Sequence, residues 1–227
     1  HRNEEIWKKT ANGWDLQSLI NQKLIDELKV AIDNFKVGPY TDEKNNFGPL
    51  ISREHKEYVI KNIISAEEEG ANIVVDGRKL NVDNKKYENG YYLGATLIDN
   101  VNTTMKSYKN EIFGPVLSFV RAETYDEAME ITHSHNLGNG AALFTRDGGV
   151  AKKWSDEIQA GSVGINVPIP LPTYAHSFGG WKDSGFSETK AFGPTSIEFY
   201  TKTKSLTTRW PDPADSKVDL GFPRNDN

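Results

Sequence analysis

Three short apolar runs, each separated from the next by one capped amphipathic segment, constrain this chain more than any other feature. Residues 116–120, 141–144 and 163–166 are short, β-favouring and largely apolar. Between the first two, Thr124 stands three residues before Glu127 in the capping-box pattern, and Ala128, Met129 and Ile131 follow. Between the second and third, Asp147 caps a segment carrying Val150, Trp154 and Ile158 on one face, and Gly161 ends it. Strands joined through one helix run parallel when they share a sheet, because the crossover brings the chain back to the same edge. The pattern predicts a three-layer α/β domain with a mainly parallel sheet.

The upstream residues continue this rhythm. Leu16, Ile20, Leu24, Leu28, Ile32 and Phe35 recur at helical spacing until Gly38-Pro39 stops the run. Ser52 opens a second helix whose buried stripe is Val59, Ile60, Ile63 and Ile64, and Gly70 supplies the left-handed residue that ends it before a strand at 73–75. A polar excursion from Gly77 closes on the turn Asn89-Gly90 and is expected to return through a strand at Tyr91-Tyr92-Leu93. Pro168, Pro170 and Pro172, followed by Gly179-Gly180 and Gly185, mark a loop region of the kind that lines sites above a rigid sheet. Ile197, Phe199 and Thr201 then alternate with Glu198, Tyr200 and Lys202, which predicts a late, two-faced strand in need of a partner.

Composition narrows the function classes. With 27 Lys and Arg against 32 Asp and Glu, the net charge of −5 gives no general attraction to nucleic acid or anionic lipid. No apolar run reaches the roughly 18 residues of a membrane span, and a polar, charged start points to the cytoplasm or an organelle matrix. The chain contains no cysteine, which excludes disulfides and thiolate metal sites. The five histidines give no convincing zinc spacing, and His133 and His135 read as a helix-end surface pair.

Lys109-Asn110-Glu111-Ile112-Phe113-Gly114-Pro115-Val116 places an acid, an aromatic, a flexible joint and a rigid one directly before a strand. It resembles the Glu-Ile-Phe-Gly-Pro signature of the aldehyde dehydrogenase superfamily. Phe47-Gly48-Pro49-Leu50-Ile51, Glu68 with Gly70-Ala71, Gly161-Ser162-Val163-Gly164-Ile165-Asn166 and Ser177-Phe178-Gly179-Gly180-Trp181-Lys182 match further elements of that family in order. Together they cover about residues 36–211. The wording of residues 137–140, of the proline-rich loop at 166–172 and of 199–211 resembles the methylmalonate-semialdehyde dehydrogenase branch. That resemblance implies oxidation of a small carboxylated semialdehyde, with NAD accepting hydride and coenzyme A accepting the acyl group. It also implies a cysteine nucleophile and a dinucleotide-binding domain, neither of which these residues contain. The isolated chain is therefore expected to be inactive, with a complementing N-terminal half as a possible partner. A non-catalytic interaction protein is the alternative.

On this resemblance the chain divides into a divergent segment at 1–17, an incomplete catalytic domain at 18–195, an oligomerisation strand at 196–211 and a flexible tail at 212–227. Residues 197–203 would join a neighbouring subunit's sheet, making a homodimer or higher oligomer. The resemblance places Glu111 on the cofactor ribose, where a carboxylate can accept bonds from two adjacent hydroxyls, and Phe113 against the nicotinamide. Read without it, Glu111 is a surface acid and Phe113 core filling. Asn166 either faces a cleft at a strand end or forms the turn there. His176, Ser177 and Phe178 are placed on the substrate loop, and no Gly-x-Ser-x-Gly elbow supports hydrolase chemistry for Ser177.

Overall fold

The computed structural model describes residues 9–10, 13–14, 16–80, 87, 89–171, 173–186 and 192–210, with side chains from residue 22 onward. The tail expected to be flexible lies outside the described residues. A short antiparallel pair, β1 (Lys9–Thr10) and β2 (Gly13–Trp14), precedes α1 (Leu16–Asp33). Helix α2 (Arg53–Glu68) leads through Gly70, at φ 98°, into β3 (Asn72–Val75). Then come β4 (Thr96–Val101), the single turn α3 (Lys106–Lys109) and β5 (Val116–Val120). The remaining elements are α4 (Tyr125–Ser134), β6 (Leu137–Gly138), β7 (Gly140–Leu143), α5 (Gly148–Glu157), β8 (Ser162–Ile165), β9 (Trp181–Lys182) and α6 (Pro194–Tyr200).

The α/β architecture expected from the periodicity is present, with mixed pairing. Strands β7 and β8, joined through α5, run parallel, as do β4 and β5. Strand β3 lies antiparallel on the other side of β4, and β6 is antiparallel to β9. The expected caps form: Ser52 Oγ accepts from the His55 N–H, Thr124 Oγ1 from the Glu127 N–H, and Asp147 Oδ1 from those of Gly149 and Val150. Each satisfies a donor that the first turn of a helix leaves unpaired.

Helix α2 buries Val59 and Ile63 completely, together with Leu93 and against Ile73, Ile112 and Val116. Its next turn continues through Ala66 onto Ile98, Val101 and Met105. Ile64, the fourth residue of the expected stripe, is 39% exposed, and Ala66 takes the buried place. Among the described side chains of α1 the buried one is Ile25, and Leu24 is 42% exposed. A strict spacing of four drifts about 40° per step around a 3.6-residue turn, so such a series cannot keep to one face. A third cluster joins Met129, Trp154, Ile158 and Ala160 beneath Ala141 and Leu143.

Two expectations require correction, and one strand was not expected at all. Tyr91-Tyr92-Leu93 is not a strand: Tyr92 and Leu93 are buried, and the ladder begins only at Thr96. The chain must first pass Gly77, where an added Cβ would lie 2.0 Å from the Gly94 carbonyl oxygen. Strand β4 itself was absent from the sequence reading because Asp99 and Asn100 interrupt its apolar run. Asp99 is accommodated by a two-point ion pair, accepting from Arg121 Nε at 3.0 Å and Nη2 at 2.7 Å. Finally, residues 194–200 form a helix and 201–203 have no regular structure. Pro194 opens α6 with a preset φ, the Ser196 hydroxyl and N–H both donate to the Gly193 carbonyl, and Thr201 Oγ1 donates to that of Ile197. A helix satisfies its backbone within itself, whereas a strand here would need a second backbone beside it.

Candidate functional site

The loop between α3 and β5 is held down on one side and open on the other. Asn110 ends α3, and its Nδ2 donates to Asn62 Oδ1 at 3.1 Å; Asn62, buried in α2, donates in turn to the Tyr58 carbonyl. Ile112 then packs into the cluster around Val59 and Ile63. Gly114 lies against Val59, where a Cβ would fall 2.7 Å from Val59 Cγ2, so no larger residue fits without displacing the helix. The Pro115 carbonyl accepts from the Thr96 N–H and starts the parallel ladder of β4 and β5.

Glu111 and Phe113 therefore project from either side of the partly buried Ile112. Phe113 is 76% exposed and adopts a left-handed backbone at φ 55°. That conformation is costly for an aromatic residue. Its carbonyl accepts a 2.8 Å hydrogen bond from His55 Nε2, which must carry the proton because a carbonyl only accepts. Tyr58 stacks on the His55 ring at 5.9 Å and reaches the Glu111 carbonyl at 3.5 Å. Glu111 is exposed, and no described residue bonds its carboxylate. The result is an exposed carboxylate two residues from an open aromatic face, able to accept from a pair of hydroxyls and to lie against a flat ring.

The second group of sequence-derived residues gathers at the end of β8. Asn166, at φ 58°, uses its whole side-chain amide on Thr145: Oδ1 accepts from the Thr145 N–H and Nδ2 donates to its carbonyl, both at 3.0 Å. Its own N–H donates to the Leu143 carbonyl, so this residue ties the end of β8 to the end of β7. Ser177 Oγ lies 2.8 Å from Thr195 Oγ1, and the Phe178 ring stacks parallel on Phe192 at 5.5 Å. His176 is exposed. Ser177 also borders a cavity of about 430 Å³ with Gly164, Val167, Ile169, Pro170 and Leu171. The structure thus pairs Glu111 with Phe113 and gathers 176–178 onto the start of α6. No hydrogen bond or ring contact among the described residues joins these two groups directly.

The two halves of the chain are joined elsewhere. Tyr108 Oη donates to the Ile131 carbonyl at 2.5 Å, while His135 Nε2 donates to the Tyr108 carbonyl at 2.7 Å and its Nδ1 accepts from the Leu137 N–H. Lys182, in β9, donates to the carbonyls of His133 and His135. His135 is therefore a structural tie, with both ring nitrogens in use. Sequence reasoning missed His55 and Tyr58: their partners lie 58 and 53 residues away, and only the Ser52 cap hinted that His55 occupies a helix start.

With this geometry in place, the comparisons with known proteins are specific. The model of the aldehyde dehydrogenase family matches residues 15–206. Malonate-semialdehyde dehydrogenase of Pseudomonas aeruginosa strain PAO1 is 44% identical over 201 residues, spanning 88% of this chain and 40% of that protein. Malonate-semialdehyde dehydrogenase 2 of Geobacillus kaustophilus is 42% identical over 191 residues, 84% of this chain and 39% of its own length. Among solved structures, methylmalonate-semialdehyde dehydrogenase (DddC) from Oceanimonas doudoroffii superposes with a TM-score of 0.83 at 50% identity, covering 87% of this chain and 40% of that one. A putative methylmalonate-semialdehyde dehydrogenase from Sinorhizobium meliloti 1021, complexed with NAD, gives 0.82 at 46% identity, covering 86% and 39%. The chain spans about two fifths of the length of these relatives. Fold, loop and sequence together establish that the chain belongs to the aldehyde dehydrogenase family.

Proposed function

We propose that these residues form the cofactor-facing part of an NAD-dependent, coenzyme-A-acylating dehydrogenase for malonate or methylmalonate semialdehyde. The exposed Glu111–Phe113 pair carries this reading, supported by relatives of that name and by one relative's complex with NAD. The pair fits the nicotinamide-ribose end of a dinucleotide, since it combines a carboxylate that no described residue bonds with an open ring face. Bound there, the nicotinamide would supply the hydride acceptor. Glu111 would accept from the ribose hydroxyls, and Phe113 would hold the ring in place and keep water from one side of it.

A thiolate nucleophile must come from outside these 227 residues, which contain no cysteine. Without it no thiohemiacetal forms, and the aldehyde carbon has no hydride to give. The chain alone, mixed with semialdehyde, NAD and coenzyme A, is expected to produce no NADH above a heat-treated control. NADH formation by the purified chain would overturn this expectation. Calorimetric titration with NAD tests the binding half of the proposal. Binding that weakens about tenfold in Glu111→Gln supports the ribose role, and unchanged binding removes it.

A second reading, that the chain serves as an interaction module, is favoured by the apolar side chains left exposed near α6. Ile197, Phe199, Tyr200, Leu206 and Trp210 are 59% to 90% exposed. We propose that a second copy covers them, which requires a dimer mass by light scattering. A monomer at high concentration would exclude it.

A further inference from the structure

Phe113 is the residue whose orientation most needs an explanation. An aromatic side chain held at φ 55° and 76% exposed gains little from burial, and its backbone conformation is one that L-residues avoid. A flexible loop would relax to negative φ and fold the ring back toward Ile112 and the apolar face of α2. Something must hold the peptide unit between Phe113 and Gly114, and the residue in contact with it is His55.

We infer that His55 is a positioning residue for Phe113: it grips the carbonyl at the start of α2 and so aims the ring outward. Three observations converge on this assignment. The Nε2···O distance is 2.8 Å, well inside hydrogen-bonding range. The residue is itself fixed at both ends, since its backbone N–H donates to Ser52 Oγ at 3.1 Å and the Tyr58 ring stacks on the imidazole at 25° between planes. The loop is pinned next door by Gly114 against Val59, so the carbonyl is presented to the imidazole with little freedom to turn away. His55 and Tyr58 together take hold of the carbonyls of Phe113 and Glu111, the two residues of the candidate cofactor face. One helical turn thereby sets the direction of both side chains without touching either.

This inference rests on the proposed cofactor role only for its consequence; the conformational effect is independent of it. The test is nuclear magnetic resonance of the full 227-residue chain, reading the Phe113 amide–Hα coupling and Cα shift, which report φ, and the carbonyl carbon shift, which reports the hydrogen bond. His55→Leu is expected to abolish the left-handed signature and shift the carbonyl resonance. His55→Gln, which retains a side-chain N–H at similar reach, is expected to restore at least half of the effect. Unchanged Val59, Ile63 and Leu97 methyl resonances establish that the core is intact; should His55→Leu not fold, His55→Ala serves in its place. A left-handed Phe113 that persists in the folded Leu or Ala variant overturns the inference, as does Gln behaving like Leu.

Adding NAD to the wild-type chain separates the two ideas. If Phe113 responds to His55 substitution while NAD leaves its resonances unmoved, the positioning role stands and the cofactor reading fails. If NAD moves Phe113 in wild type and binds about two- to tenfold more weakly to His55→Leu than to wild type and His55→Gln, both hold, as the loss of one hydrogen bond would give.

Discussion

The layer of β3, β4 and β5 under α2 and the stretch from 163 to 210 carry comparable numbers of apolar side chains, and the fold treats them in opposite ways. In the first, Val59, Ile63, Leu97 and Ile98 are fully buried. In the second, Val163 and Ile165 are each 40% exposed, Ile169 71%, Leu171 72% and Trp210 90%. The difference is geometric: β4 has a strand on each side and a helix laid across it, whereas β8 has one neighbouring strand and is followed by prolines and glycines. Apolar residues become core only where a second layer exists to cover them. The first region therefore stabilises the chain, and the second presents surface.

The sharpest way to break this comparison is to truncate one residue from each region. Ile98→Ala is expected to cost about 3–4 kcal/mol, the transfer term plus the cavity left beneath a helix that cannot follow. Urea denaturation monitored by circular dichroism would show it, and a loss below about 1 kcal/mol would mean that this layer is not the core.

Next in size is Arg121→Ala, which strands the buried Asp99 carboxylate and is expected to cost about 3 kcal/mol near neutral pH. Burial pushes the Asp99 carboxyl up, but the Arg121 hydrogen bonds and the Asn100 N–H together outweigh this and hold it below the usual carboxylate range. A carboxyl lowered in the folded state adds stability above its unfolded value, and that stability is lost as pH falls through the folded value. The gap between wild type and Arg121→Ala should therefore narrow as pH falls from about 5 toward 3, around the unfolded carboxylate range. A gap that is constant or grows on acidification would contradict the ion pair.

A smaller effect is expected at the end of β8. Asn166→Ala loses both bonds to Thr145 while keeping the left-handed backbone, for about 1–2 kcal/mol. Asn166→Gly, which relieves the backbone term, should fall between that variant and wild type. Melting curves of the three proteins check this order. Smallest of all, Ile169→Ser is expected to change stability by less than about 0.5 kcal/mol, because its side chain already meets water. A larger loss would show that the 163–210 surface has a partner in solution.

Much of the fold was legible in residue order because the signals are local. Ser52, Thr124 and Asp147 cap their helices through N–H groups two or three residues away, and Gly70 ends α2 by adopting a conformation that other residues avoid. The β7–α5–β8 unit follows from its periodicity, as does the parallel pairing it imposes. The candidate site was legible in part. The pattern around Glu111 located the loop, and nothing in it said that Ile112 would turn inward while its neighbours faced out. Asn166 was ambiguous until Thr145 appeared beside it.

What the residue order determined by itself was the set of elements whose stabilising partners lie within about one helical turn or one strand period, together with membership of the family. Tertiary structure alone decided that a strand bearing Asp99 runs through the centre of the sheet, made possible by Arg121 more than twenty residues later. It also decided that His55 reaches Phe113 across 58 positions. In each case the deciding group is far away in sequence, and its hydrogen bond or neutralising charge becomes available only once the chain has closed the intervening loop.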